Sequence, residues 1–310
     1  MKIVFLDAAT MGDADFAPVE KLGTLVKYDN STPQEARERV SDCDVLIINK
    51  IQVNKELIDA APSLKLICEA ATGVNNIDLD YAASKSIPVK NAIGYSTDSV
   101  VQTTFMHILS LIGQAPYFDD CVKSGKYSSS GMFTDVTVNW TELSGKTFGV
   151  IGMGNIGRKV AAVAEAFGMK VVYFSTSGTS HCKDYPSLPL DEFLSVCDII
   201  SIHAPLNQRT MGLIGEKELQ MMKQKSVLVN MGRGGIVDEA ALAKALDDGH
   251  LLGAALDVFC QEPLPADSPL LSLKNPQRLR LSPHIAWASS QARERLVGQI
   301  AANISETFGI

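Results

Sequence analysis

The chain has 310 residues, 46% of them hydrophobic, and carries a formal net charge of −7. That length exceeds what a single core comfortably fills, so two domains are expected, and the apolar fraction suits well-filled α/β interiors. The negative balance and the lack of any dense Lys/Arg cluster argue against a nucleic-acid or anionic-membrane surface, which leaves small metabolites as the expected partners.

Residues 1–7 read as a short strand ending at Asp7, too short for a signal-peptide core, and no later stretch approaches the length of a membrane span, so a cytoplasmic protein is expected. Apolar β-type runs then alternate with amphipathic helical stretches at residues 3–6, 35–40, 45–49, 55–60, 66–70, 77–85 and 89–91. Such alternation predicts a parallel sheet covered by helices on both faces, in a first small domain ending near Gly94. Residues 99–111 form a long helical run, and residues 123–139, rich in Ser, Gly, Thr and Asp, read as loop or linker. A second alternation begins at Leu143 and passes through strands at 170–174, 199–203, 226–230 and 253–258 with a helix at 239–247. Residues 289–308 read as one terminal helix; since a lone helix makes no core, it is expected to pack back on the first domain. The six cysteines are scattered without a CxxC pair and read as free thiols with no metal role, and a redox-sensitive Cys260 is the minor reading.

One motif opens the second alternation. Gly152, Gly154 and Gly157, with Asn155 and Ile156 between the last two, follow the strand-like residues 148–151 and lead into a helical pattern. In a βαβ unit, such glycines permit the tight turn, let backbone approach a pyrophosphate and let helix pack on strand, with the phosphates at the positive helix end. A dinucleotide site is therefore expected here. After the next strand, the Asp or Glu that would bind the adenosine ribose is replaced by Ser175, Thr176, Ser177 and Gly178. Hydroxyls accept either a ribose or a 2′-phosphate, and no carboxylate repels the phosphate. No Arg occupies the loop. Lys183 and His181 lie downstream, either near a phosphate or as solvated loop residues, so NAD is expected with NADP left open.

Three polar residues sit where later strands give way to loops: Arg233, Glu262 and His284. In open α/β sheets ligands bind outside the carboxyl ends of the strands, where all three project. Singly, each has an ordinary reading as a turn residue, a loop charge or a structural hydrogen-bonder. Together they match the reduction of a 2-oxo acid. A guanidinium binds the carboxylate and polarises the carbonyl, better than Lys does. A carboxylate beside an imidazole stabilises imidazolium and orients the ring, so that His284 donates a proton and takes it back in reverse.

At these residues the chain resembles the D-isomer-specific 2-hydroxyacid dehydrogenases, in the manner of a glycerate/hydroxypyruvate reductase, over essentially its whole length. Beyond GMGNIG it contains HAPL followed by Thr210, then NMGRGGIVDE, AALDVF leading to Glu262-Pro263, and PHIAW, in the family's order. The resemblance implies that Arg233 binds the substrate carboxylate, His284 is the acid/base, Glu262 is its partner and Asp257 contacts the nicotinamide carboxamide. It also places His203, Ala204, Pro205, Thr210, Met231, Gly232 and Ala286 with the glycines, Ser175 and Thr176 at the cofactor, and the loop bearing Thr72, Gly73 and Val74 at the substrate. A homodimer formed largely through the cofactor domains is implied as well, with residues 99–111 as an interface element. The chain departs from the family at Asn75, Gln102 and Ser175, where acidic residues are common; Gln102 is either a surface residue or an interface contact.

Lys50 is either a substrate contact or a solvated loop residue, and Trp287 either walls the substrate pocket, the preferred reading, or packs under the terminal helix. Its bulk there favours small substrates such as hydroxypyruvate, glyoxylate or pyruvate. The resulting expectation is an α/β protein of two domains. A Rossmann-type doubly wound parallel sheet, residues 97–286, is inserted into a smaller flavodoxin-like α/β substrate domain, residues 1–96 and 287–310, with the reaction in the cleft between them. With so short an end after the terminal helix, the regulatory domain of some family members, and with it allosteric control by an amino acid, is not expected. The rival reading is a non-catalytic NAD(H)-binding interaction protein of the co-repressor kind, which the lack of long disordered tails disfavours. A formate dehydrogenase-like activity is disfavoured by the Glu262 and His284 pair.

Overall fold

The computed structural model describes residues 1–310, which form two compact units, Met1–Ser96 with Ala288–Ile310, and Thr97–Trp287. In the first unit β1 (Lys2–Phe5), β2 (Thr24–Lys27), β3 (Val45–Ile48), β4 (Leu66–Glu69) and β5 (Val89–Lys90) lie parallel in the order β2-β1-β3-β4-β5. This is the flavodoxin-like order. β3 and β4 are buried along their whole length, as strands covered on both faces must be. The edge strand β2 is only partly buried, and its short mixed sequence gives no clear period, so the residue pattern alone does not announce it.

Three helices of this unit start where a side chain takes up a free amide. Thr32 and Glu35 form a reciprocal capping box, Asn54 accepts from Leu57 N and Asp78 accepts from Tyr81 N. The terminal helix Ser290–Phe308, capped by Ser289, belongs to the same unit. Its Gln299 side chain bonds both backbone groups of Ile93, at 3.0 and 3.1 Å, and Lys90 pairs with Glu306 at 2.7 Å.

In the second unit β6 (Thr147–Ile151), β7 (Lys170–Phe174), β8 (Ile199–Ile202), β9 (Val227–Asn230), β10 (Gly253–Leu256) and β11 (Leu279–Leu281) are parallel in the order β11-β10-β9-β8-β6-β7. The chain order reverses between β6 and β8, the switch point at which doubly wound sheets bind ligands. Successive residues face opposite cores: Leu228 joins one apolar cluster, while Val227 and Val229 join the other. The helix Thr97–Ile112 covers the second cluster, with Phe105 stacked on Phe148 at 6.1 Å. The segment 123–139, expected as loop, is partly helical, since Lys126–Ser130 is a short helix that follows another at Ala115–Lys123. A left-handed Gly125 at φ 79° joins them, and composition registers the glycine and serines without registering the turns between them.

One consequence of the register decides where chemistry can sit. Phe174, Ile151, Ile202, Asn230, Leu256 and Leu281 pair across the sheet in one row. Every segment that follows these residues therefore leaves the sheet at the same edge.

Candidate active site

The three motif glycines have separate causes. Gly152 has φ +93°, and a Cβ on it would stand 2.9 Å from Ala204 N; a Cβ on Gly157 would stand 2.2 Å from the Gly152 carbonyl oxygen. Turn and helix packing thus require these two. Gly154 differs: its φ is −82° and a Cβ there meets nothing within 4 Å. No neighbour within the protein demands a glycine at this position, which is what a site left open for a pyrophosphate looks like. Gly154 begins the helix Asn155–Ala166 with no side-chain cap, so the first-turn amides, including those of Asn155 and Ile156, stay available to an anion.

A cavity of about 250 Å³ lies here, lined among others by Gly154, Ser175, Thr176, His203 and Pro205. His203 Nε2 bonds Ser201 Oγ at 2.8 Å, but its Nδ1 is buried with no partner. Burial pushes its pKa down to about 3, so the ring is neutral at pH 7. An orphaned ring nitrogen on a residue that lines this cavity and the unfilled space at Gly154 both fit a bound dinucleotide.

Two residues expected at the cofactor also hold the backbone of their own loops. Thr210 is fully buried, and its hydroxyl donates to Pro205 O at 2.7 Å and accepts from Asn207 N at 2.8 Å, closing its own loop. Ala286 is buried with both backbone groups engaged, its amide by Asp257 and its carbonyl by Ser99 Oγ. Ala204, Met231 and Gly232 bring loops together: Ala204 and Met231 are buried, and a Cβ on Gly232 would stand 2.8 Å from Ala204 O.

Arg233 follows β9 on a loop braced by Asn230, whose amide donates to Arg233 O at 2.9 Å and whose Oδ1 accepts from Gly232 N at 3.0 Å. The guanidinium donates to Gly232 O at 2.8 Å and makes no ion pair, so most of its donors await an anion. The next residue packs this loop on the one after β10, since a Cβ on Gly234 would overlap the Phe259 carbonyl. Phe259 N in turn donates to Glu262 Oε1 at 3.0 Å, and Glu262 Oε2 lies 2.7 Å from His284 Nδ1. Contacts therefore run unbroken from the Arg233 loop to the imidazole. With Nδ1 bound to the carboxylate, Nε2 is the atom left to exchange a proton.

His284 has φ +54°, an uncommon conformation for a residue with a Cβ. Asp257 holds the loop that imposes it. This buried carboxylate accepts from Ser282 Oγ at 2.5 Å, Ile285 N at 2.9 Å and Ala286 N at 2.8 Å. Ser282 is also bonded to His107 Nε2 at 3.0 Å, and burial lowers the pKa of His107. Asp257 therefore positions the His284 loop, a role for which its place in the sequence offered no signal. Trp287 closes this unit and is half-buried.

In the first unit the register aligns Ile48 with Glu69, so the segments after β3 and β4 leave at one edge. Asp7 accepts from the amides of Asn49, Lys50 and Ile51, fixing the backbone that presents the exposed Lys50. Glu69 is fully buried and its Oε2 accepts from Asn76 Nδ2, which also donates to Ile51 O. Desolvation pushes the Glu69 pKa up to about 8, so at neutral pH it is mostly protonated. The loop containing Thr72, Gly73 and Val74 is thus tied to the Lys50 loop, and Thr72 is fixed further by its hydroxyl on Ala92 O. Neither Asp7 nor Glu69 is signalled by any motif.

The family model for the D-isomer specific 2-hydroxyacid dehydrogenase NAD binding domain matches residues 105–286. A hydroxypyruvate reductase of Blautia hydrogenotrophica is 34% identical over 99% of this chain and 97% of its own length. Among solved structures, D-lactate dehydrogenase from Aquifex aeolicus, complexed with NAD and lactic acid, superposes with a TM-score of 0.85 at 28% identity, covering 99% of this chain and 96% of that one. An acyclic imino acid reductase in complex with NADPH and D-Arg gives 0.88 at 28% identity, over 100% and 97%. Matched along both units and carrying a cavity that fits NAD(P), the chain belongs to the D-isomer specific 2-hydroxyacid dehydrogenase family.

Proposed function

We propose that this dehydrogenase reduces the carbonyl of a small 2-oxo acid to a D-2-hydroxy acid, with hydroxypyruvate, glyoxylate and pyruvate as its substrate class. The observation that carries this reading is the 2.7 Å His284–Glu262 pair, joined through the Phe259 loop to an Arg233 that has no carboxylate of its own. A nicotinamide dinucleotide held at Gly154, Asn155 and Ile156 would supply the hydride for the carbonyl carbon. Arg233 holds the substrate carboxylate in a fork of N–H groups and stabilises the oxygen as it becomes an alkoxide. His284 gives that oxygen its proton from Nε2, while Glu262 fixes the ring and offsets the imidazolium charge. In the reverse direction His284 takes the proton back.

Asp257 keeps a lone pair on Oδ2 for the carboxamide, and Lys50, Thr72, Gly73, Val74 and Trp287 are assigned to the substrate. A homodimer through the second unit is supported by its exposed Met106, Leu109, Phe133, Val136 and Trp140. No helix is long and apolar enough to cross a membrane, and six unpaired cysteines fit a reducing compartment, for which we take the cytoplasm.

Following nicotinamide absorbance with the three oxo acids, with product chirality determined, tests the reading. Consumption of NADH or NADPH with formation of the D-product is expected. Cofactor binding without turnover of any oxo acid would reduce the protein to a nucleotide binder.

A further inference from the structure

We infer that the cavity beside β7 is built for NADPH, and that Arg209, from the segment after β8, selects the 2′-phosphate; the inference rests on the dinucleotide reading of that cavity. Where a ribose-binding carboxylate belongs, Ser175 stands, and none of the cavity's lining residues is Asp or Glu. The hydroxyls of Ser175 and Ser177 both donate to Thr179 O, at 2.5 and 3.0 Å, closing residues 175–179 into a turn. Gly178, at φ +80°, forms its apex.

Arg209 lies against that turn. Its Nη1 donates to Ser177 O and sits 2.9 Å from where a Gly178 Cβ would be, so a larger residue at 178 would displace it. Arg209 is remote in sequence from the loop, and only the fold brings the two together. It makes no ion pair, unlike Arg158, whose guanidinium lies 3.6 Å from Asp184. Of the two basic residues after the loop, His181 lines the cavity, bonded to Thr179 Oγ1 at 2.6 Å; Arg209 stands just outside the lining, held against the lining residue Ser177.

These groups discriminate by charge. A 2′-phosphate brings roughly one and a half to two negative charges and needs several N–H or O–H donors. The protons of Ser175 and Ser177 are spent on Thr179 O, so the charge and the donors come from the Arg209 guanidinium, which makes no ion pair, and from the Thr176 hydroxyl on the cavity wall; a planar fork suits phosphate oxygens better than an ammonium does. The two ribose hydroxyls of NADH would find no bidentate acceptor in the same place, and Arg209 would keep only its backbone contact.

The test is binding to the protein without substrate. NADPH and NADH are titrated by nicotinamide fluorescence, and 2′,5′-ADP and 5′-AMP by calorimetry. NADPH is expected to bind at least about tenfold more tightly than NADH, and 2′,5′-ADP more tightly than 5′-AMP by a similar factor, both ratios falling as salt screens the charges. Arg209→Ala should bring the NADPH affinity to that of NADH while leaving NADH within about twofold, and Ser175→Asp should reverse the preference. Equal or tighter NADH binding by the unaltered protein would overturn the inference alone. So would an Arg209→Ala variant that weakens both dinucleotides equally. Failure of both dinucleotides to bind would overturn the dinucleotide reading as well.

Discussion

Gly234 stands so close to Phe259 that a Cβ on it would fall 1.7 Å from the Phe259 carbonyl oxygen. The loops carrying Arg233 and Glu262 therefore touch backbone to backbone at this point, which sets the anion-binding fork and the carboxylate in one frame. Gly234→Ala must push the loops apart. Loss of turnover by at least about a hundredfold, with a lower Tm, is expected, because displacements of this order at an active site have such effects. Full activity in the alanine variant would show that the contact does not govern the site.

His284→Gln removes the proton donor and retains a polar side chain. A fall in kcat of roughly 10²- to 10⁴-fold is expected, with dinucleotide affinity unchanged. Glu262→Gln loses the charge that stabilises imidazolium, and a smaller fall with an altered pH profile follows. Equal losses of cofactor binding and turnover would assign both residues to the scaffold.

Arg233→Ala removes the fork, and Arg233→Lys keeps the charge without the geometry. KM should rise and kcat fall in both, less in the lysine variant. Steady-state constants near those of the parent protein would exclude the carboxylate anchor.

Asp257→Asn places an amide among three donors that need an acceptor. At least one buried donor is left unpaired, at a cost of about 1 to 3 kcal/mol. A lowered unfolding midpoint in denaturant, together with reduced kcat, is the expected result. Undiminished stability would mean that the His284 loop is held by other contacts.

Glu69 carries a pH-dependent liability. Its pKa, about 8 in the folded protein against an ordinary 4.5, means that folding favours the protonated carboxyl. Its contribution is therefore fully present below about pH 4.5 and is lost as the pH rises through 8. Glu69→Gln removes the titration, so its stability relative to the parent protein should increase from pH 5 to pH 9. Parallel curves in urea denaturation across that range would refute the assignment.

The reading from residues reached different depths in different places. The apolar runs at β3, β4, β6 and β7 are bounded by polar or glycine positions, and a buried parallel strand needs no more than such a run. β2 escaped because an edge strand with one neighbour has little burial to write into its sequence. The short helices at 115–130 escaped because their ends are set by left-handed turns at Gln114, Gly125 and Gly131. At the site, Arg233, Glu262 and His284 were legible because each is a chemically distinctive residue at the end of a strand-like run. Asn230, Asp257, Ser282 and Asp7 act through hydrogen bonds to loop backbone, and a residue's neighbours in sequence do not reveal which distant amide it will meet.

By itself, then, the sequence determined the alternation of strands and helices, the glycine turn and which side chains are proposed to react, since these follow from local periodicity and from side-chain chemistry. Only the tertiary structure decided that Gly154 faces open space, that Glu262 reaches His284 Nδ1, and that Arg209 meets a loop 32 residues before it. Those relationships follow from sheet register and strand order, which bring residues remote in the chain to one edge and which no local pattern encodes.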